Sequence, residues 1–154
     1  MRIRSKGNFG FFVRHAVARG FIFRNGLLIL KRTPLPSFSK KNWRSAFENC
    51  MYLVKEGATP VFNFLSQKEM QNVYPHRSSE KLTDHPTEKP LGMIRRIIEV
   101  SSNPGDLVLD PFMGSGTTAL ACVQAGRRFV GFDKEPAYIQ MAEARLKGAA
   151  KEPA

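Results

Sequence analysis

Apolar and polar positions in the first part of the chain predict one helix and several short strands. Residues 11–19 are compatible with a helix, and the apolar runs at 20–23 and 27–31 follow it. A further strand is predicted at 49–55, after a proline-containing break at 33–37. Two prolines in that break interrupt regular structure. This pattern is common in proteins, so it indicates short strands without indicating a function.

The second part alternates helical and strand-like patterns. Leu91, Ile94 and Ile98 lie on one face of a predicted amphipathic helix, which the turn at 101–106 connects to the apolar strand 107–109. A glycine-rich turn, an Ala/Leu-rich helix, a second short strand and a last helix follow; the strand covers 129–133, and the helix covers 136–146. Strands that alternate with helices favour an α/β fold with parallel strands.

The turn after the first of these strands carries the clearest chemical signal. Asp110 ends the strand, and ligands of open α/β sheets bind at the carboxyl ends of strands. Gly114 and Gly116 allow positive φ and close approach of the backbone. The helix that begins near Thr117 directs its first N–H groups towards the same place. The turn therefore predicts a pocket for a nucleotide-like ligand.

The glycine pattern alone leaves more than one ligand open. Residues 114–119 (Gly-Ser-Gly-Thr-Thr-Ala) also satisfy the loose dinucleotide fingerprint, and Asp133 follows at about the expected distance. A phosphate-binding loop is disfavoured because no Gly-Lys-Ser/Thr sequence follows the turn. Asp110 would also repel a pyrophosphate, whereas it suits a cofactor that carries positive charge.

Several motifs in one order resemble a known family. Residues 85–90 read His-Pro-Thr-Glu-Lys-Pro, and residues 110–118 read Asp-Pro-Phe-Met-Gly-Ser-Gly-Thr-Thr after the intervening helix. Residues 129–133 (Phe-Val-Gly-Phe-Asp) and the spaced set Tyr138, Ala142, Arg145 and Leu146 come next. Together they resemble the DNA amino-methyltransferases, which transfer a methyl group from S-adenosylmethionine to adenine N6 or cytosine N4. The motif order resembles the permuted (β) class, in which the cofactor half follows the catalytic half.

The resemblance implies a role for each residue of the predicted cofactor site. Asp110 would accept hydrogen bonds from the methionine ammonium group, and Thr87 and Lys89 would meet the methionine carboxylate. Asp133 would hold the ribose hydroxyls. The resemblance also implies that the backbone at Gly114, Ser115 and Gly116 runs along the cofactor, and that the adenine lies between Phe112 and Phe132. Both phenylalanines are equally compatible with core positions, and His85 is better interpreted as a turn residue before the helix.

One family signature does not occur in residues 1–154: the Asp/Asn/Ser-Pro-Pro-aromatic tetrapeptide. In the family it binds the target amino group and stacks on the flipped base. We therefore assign no catalytic residue and expect an incomplete Rossmann-like methyltransferase fold, truncated at its N-terminus and lacking central strands. Residues 1–64 would form the distal hairpin region, 65–84 a polar connection, and 85–147 the cofactor-binding part.

Three functional hypotheses remain, two from this resemblance and one from the glycine pattern alone. The chain is a methyltransferase part that a complementary chain with the tetrapeptide completes, an inactive remnant, or a dinucleotide-binding module. Composition agrees with DNA as the partner, since 24 Lys and Arg against 13 Asp and Glu give a formal charge of +11. Cys50 and Cys122 show no metal-ligand spacing, no apolar run reaches transmembrane length, and we expect a cytoplasmic protein without a metal.

Overall fold

The computed structural model describes residues 9–31, 34, 36–38, 40–41, 43–76 and 88–149. These residues form two compact units. Unit 1 contains the described residues up to Pro60 together with Gln67–His76, and unit 2 contains Val61–Ser66 together with the residues from Glu88 onward. Residues 61–64, which the sequence analysis placed in the hairpin region, belong to the same unit as the predicted cofactor-binding part.

Unit 1 is built on one long strand. Its elements are α1 (Phe9–Val17), β1 (Phe21–Lys31), β2 (Phe47–Lys55) and β3 (Val73–His76), with the strand order β2-β1-β3. β1 and β2 are antiparallel, with a register shift between Phe23 and Asn25. The two apolar runs predicted in this region therefore form a single strand, in which Arg24 is the extra residue at the register shift, as in a β-bulge. The predicted antiparallel hairpin is present.

The segment predicted as a polar connection contains the third strand. β3 pairs in parallel with the second half of β1, from Leu28 opposite Val73 to Lys31 opposite His76. Asn72 fixes the start of this pairing, because its Nδ2 donates to the Gly26 carbonyl at 2.9 Å and its own carbonyl accepts from Leu28 N at 2.8 Å. Part of the connection is thus held in the sheet of unit 1.

Unit 2 has the α/β order expected from the sequence. Its elements are α2 (Leu91–Ser101), β4 (Leu107–Asp110), α3 (Thr117–Gln124), β5 (Arg128–Gly131) and α4 (Pro136–Ala149). β4 and β5 are parallel and in register from Leu107 opposite Arg128 to Asp110 opposite Gly131. The carboxyl ends of the two strands therefore lie side by side. Within the described residues, these two strands form a sheet of their own.

The core of unit 2 lies between α2, α3 and the two strands. Ile98, Ala121 and Cys122 are buried at its centre, and Leu91, Ile94, Val108, Ala125 and Phe129 pack against them. The predicted apolar face of α2 contacts this core. Ala121 and Cys122 on α3 have no exposed surface. Their small side chains allow α3 to pack closely against α2.

The carboxyl end of α2 is fixed by two side chains from other segments. Asn63 Nδ2 donates to the carbonyls of Glu99 and Ser102 at 2.9 Å each, and Asn63 N donates to the Val100 carbonyl at 2.8 Å. Arg127 Nη2 donates to the Ser102 carbonyl at 2.7 Å. These bonds satisfy carbonyls that have no partner within a helix. Among the residues described, none of the helices has the length and apolar character to cross a membrane.

Candidate cofactor-binding site

The candidate site lies where β4 and β5 end. Phe132 N donates to the Asp110 carbonyl at 3.0 Å, and Met113 N donates to the Phe132 carbonyl at 2.8 Å. These two bonds continue the pairing of the strands into the segments that follow them. Asp110 and Asp133, which end the two predicted strands, are therefore brought to the same edge of the sheet.

Asp133 is held by backbone amides on both of its carboxylate oxygens. Gly114 N donates to Oδ2 at 2.9 Å, and Glu135 N donates to Oδ1 at 3.0 Å. Asp133 thus connects the glycine-rich turn to the start of α4. Hydrogen bonds from amides stabilise a carboxylate and fix its orientation, so this side chain is preorganised.

The glycine-rich turn needs glycine at two positions. Gly114 has φ 53° and Gly116 has φ 79°, both in the left-handed region that other residues adopt at a cost. A Cβ added at Gly116 would lie 2.6 Å from Cβ of Ala142 in α4. Gly116 therefore packs against α4, and its small size serves this helix contact as well as the turn.

A cavity of about 190 Å³ opens beside the turn. Its wall contains Glu88, Lys89, Ile94, Asp110, Phe112, Met113, Gly114, Ser115, Thr117 and Thr118. Asp110 Oδ1 accepts a hydrogen bond from Phe112 N at 3.0 Å, which orients the carboxylate at the cavity. The cavity is smaller than a typical ligand site of roughly 300–1,000 Å³. It has room for part of a nucleoside-type ligand, and its wall contains one cation, Lys89, and two carboxylates, Glu88 and Asp110.

The remaining predicted site residues differ in their placement. Phe112 is 86% exposed and Phe132 is 60% exposed, so neither is a core residue. Thr87 and His85 lie outside the described residues. Lys89, Asp110, Gly114 and Ser115 lie in the wall of one cavity, and their role in binding a cofactor stays a prediction. No group of three or more His, Cys, Asp or Glu side chains suited to a metal ion occurs in the described part of the chain.

The structure adds an ion pair to which the sequence analysis assigned no role. Arg145 Nη2 lies 2.9 Å from Glu88 Oε1, and the two side chains are 10% and 0% exposed. Arg145 Nη1 also donates to Thr117 Oγ1 at 3.1 Å and to the Ser115 carbonyl at 3.4 Å. Both charged residues belong to motifs quoted above, but only the fold places them together.

Comparison with known proteins identifies the family. The sequence profile of the DNA methylase family matches residues 3–144. The chain is 34% identical over 140 residues to the type II methyltransferase M2.DpnII of Streptococcus pneumoniae, covering 83% of this chain and 52% of the relative. It is also 34% identical over 143 residues to M2.LlaDCHI of Lactococcus lactis subsp. cremoris, covering 84% and 53%. The chain thus spans about half the length of these relatives.

Solved structures give the same result for the fold. The M1.HpyAVI structure in complex with SAM superimposes with a TM-score of 0.79 at 34% identity, covering 92% of this chain and 71% of that one. The PvuII cytosine-N4-specific DNA methyltransferase has a TM-score of 0.73 at 21% identity, covering 94% and 60%, which supports the fold alone. The α/β expectation is confirmed, and the match over residues 3–144 shows that the chain belongs to the DNA methylase family of N6 and N4 methyltransferases.

Proposed function

We propose that the chain binds S-adenosylmethionine and serves the transfer of a methyl group to adenine N6 or cytosine N4 of DNA, as a member of the permuted class. The observation that carries this proposal is the convergence of Asp110, Lys89 and the glycine-rich turn on one cavity. M1.HpyAVI, which shares 34% identity with this chain, was crystallised with SAM.

The charges at the cavity favour this cofactor over a dinucleotide. A methionine group carries an ammonium and a carboxylate, and Asp110 and Lys89 offer one opposite charge to each. A pyrophosphate would meet the Asp110 carboxylate, which repels it. Thr87, at the start of the same segment as Lys89, would assist in holding the methionine carboxylate.

The nucleoside part of the cofactor would extend beyond the cavity. Asp133 follows β5 in a fixed orientation and would accept hydrogen bonds from the ribose hydroxyls. The exposed rings of Phe112 and Phe132 provide apolar surface for the adenine. When bound, the cofactor supplies an electrophilic methyl group on its sulfonium, and the residues of this chain bind and orient it.

DNA as the substrate is supported by charge and by one loop of unit 1. The chain has a formal charge of +11, and positive proteins gain affinity for DNA by releasing counterions. Phe38 and Trp43 are 87% and 94% exposed in the loop between β1 and β2, near Lys40 and Lys41 in sequence. Aromatic rings and cations in alternation contact bases and phosphates. We propose this loop as a DNA contact.

We further propose that residues 1–154 do not methylate DNA alone. They contain no Asp/Asn/Ser-Pro-Pro-aromatic sequence, so the acceptor amino group has no binding group of that type. A complementary chain that carries this sequence would orient the flipped base and restore transfer.

Calorimetric titration of the full chain with S-adenosylmethionine and with NAD tests cofactor binding. We expect S-adenosylmethionine to bind more tightly, and Asp110→Asn to raise its Kd by roughly 10-fold or more, since a charged hydrogen bond contributes about 1.5–3 kcal/mol. The matched control is Asp106→Asn, because Asp106 precedes the same strand and accepts from Asn103 N at 2.8 Å. Tighter binding of NAD would contradict the proposal.

A further inference from the structure

We propose that Arg145 and Glu88 are positioning residues for the cofactor, an inference that rests on the proposed binding of S-adenosylmethionine. Arg145 lies in α4 and reaches two segments of the cavity wall with one guanidinium group. It pairs with Glu88 Oε1 at 2.9 Å, and it donates to Thr117 Oγ1 at 3.1 Å. α4 thereby joins the segment before α2 to the start of α3.

Burial strengthens the attraction in this ion pair. The Arg145 and Glu88 side chains are 10% and 0% exposed, so water does not screen their attraction. Removal of either partner would leave a buried charge without its counterion. The pair therefore favours one relative placement of the two segments that it connects.

That placement determines how Lys89 and Asp110 face a ligand. Glu88 immediately precedes Lys89, and Thr117 belongs to the turn and helix start that follow Asp110. Glu88, Lys89, Asp110 and Thr117 all belong to the wall of the same cavity. Arg145 is absent from this wall, so it acts through its neighbours. The ion pair thus sets the separation between the Lys89 cation and the Asp110 carboxylate, which must match the amino acid group of the cofactor.

Two probes separate this role from a general contribution to stability. S-adenosylhomocysteine carries the zwitterionic amino acid group, whereas 5′-methylthioadenosine has the same nucleoside without that group. Titration of the full chain with both compounds, well below the melting temperature of each variant, measures the effect on each part of the ligand. We expect Arg145→Met and Glu88→Gln to raise the Kd for S-adenosylhomocysteine at least tenfold. The Kd for 5′-methylthioadenosine should change less than threefold.

Conservative and control variants complete the experiment. Arg145→Lys keeps the charge but loses the planar group that reaches several partners, so we expect an intermediate loss. It also provides a measurable protein if Arg145→Met does not fold. The control is Glu99→Gln, which breaks the exposed Arg95–Glu99 pair of 2.8 Å in α2. This control should leave both Kd values unchanged.

The outcomes distinguish the inference from the proposed function. A lower melting temperature with unchanged Kd values, or an equal loss for both probes, would show a purely structural pair and overturn the inference alone. Failure of the unsubstituted chain to bind either probe would overturn the proposed cofactor and the inference together. A selective loss for S-adenosylhomocysteine supports both.

Discussion

Gly114 N donates a hydrogen bond of 2.9 Å to Oδ2 of Asp133, and this bond connects the turn after β4 to the segment that follows β5. The second carboxylate oxygen accepts from Glu135 N at 3.0 Å. One side chain therefore orders the glycine-rich turn and the start of α4 together. A side chain in this position contributes to the shape of the site even without a ligand.

Removal of the Asp133 carboxylate should destabilise the chain without any ligand present. Asp133→Ala leaves two backbone amides without their acceptor, so we expect a loss of about 1–3 kcal/mol in the free energy of unfolding. Asp133→Asn retains one acceptor oxygen and should lose less. Urea unfolding monitored by circular dichroism measures both. Equal losses for the two variants would show that the hydrogen bond retained in Asp133→Asn does not contribute to stability.

Gly116→Ala should destabilise the chain more than Gly126→Ala. Both glycines have positive φ, 79° and 70°, and therefore share the backbone strain of roughly 1–3 kcal/mol. Only at Gly116 would the new methyl group meet Ala142, whereas nothing lies within 4 Å of a Cβ at Gly126. We expect a further loss of about 1–3 kcal/mol from this overpacking. Thermal unfolding of both variants measures the difference, and equal losses would contradict the close helix contact.

The two cysteines should differ in reactivity. Burial raises the pKa of the Cys122 thiol, an effect that Arg127 opposes and Asp110 assists. Cys50 is half-buried. Since the thiolate is the reactive form, we expect a thiol reagent to modify Cys50 first. Cys122 should react only as fast as unit 2 opens, so equal rates at low denaturant would contradict its burial.

Ionisation of the same thiol should make the free energy of unfolding depend on pH in the alkaline range. A thiol in an unfolded chain ionises near pH ~8.5, and burial raises the pKa of Cys122 in the folded chain. The contribution of this thiol to the free energy of unfolding is thus fully present below that pH. It is lost as the pH rises towards the pKa of the thiol in the folded chain. Cys122→Ala should show a smaller decrease in stability than the unsubstituted chain between about pH 8 and 10. Parallel decreases would exclude this thiol as a cause.

DNA binding by the chain should be weak, independent of sequence and strongly dependent on salt. Lys41→Gln should reduce the slope of log Kd against log salt by about one if Lys41 contacts a phosphate. Trp43→Ala should weaken binding to single-stranded DNA by about 1–3 kcal/mol, with little change in that slope. Phe64→Ala, which removes another exposed ring, is the control. Mobility shifts over a salt series measure these effects, and sequence-selective binding at high salt would contradict this prediction.

The purified chain should not transfer labelled methyl groups to unmethylated DNA. Cofactor binding positions the donor, but orientation and electrostatic stabilisation of the acceptor each contribute several kcal/mol in enzymes. Co-expression with a fragment that carries the Asp/Asn/Ser-Pro-Pro-aromatic sequence should restore transfer. Activity of residues 1–154 alone would reveal a catalytic site that this interpretation lacks.

Local pattern was enough to predict most of unit 2. The apolar run before Asp110 and the glycines after it indicate a strand, a turn and a helix, and these elements are present with the expected parallel partner. The apolar face of α2 was equally predictable from its period. These features depend on neighbouring residues, which explains why a single sequence specifies them.

Features that depend on distant residues were not predictable. β3 has four residues, includes Pro75 and lies in a polar segment, so only its pairing with β1 makes it a strand. Exposure of Phe112 and Phe132 also depends on the surrounding fold, and the sequence left core and surface positions equally open. The Glu88–Arg145 contact joins two motifs that have no local relationship.

The packing of α4 against the turn has a consequence for the way in which unit 2 opens. Ala142 and Arg145 lie on this helix, and the first meets Gly116 while the second bonds to Thr117. Detachment of α4 would therefore release the start of α3 in the same step. The backbone amides of Leu120 and its neighbours should then exchange hydrogen with solvent at the rate set by α4, as one cooperative unit.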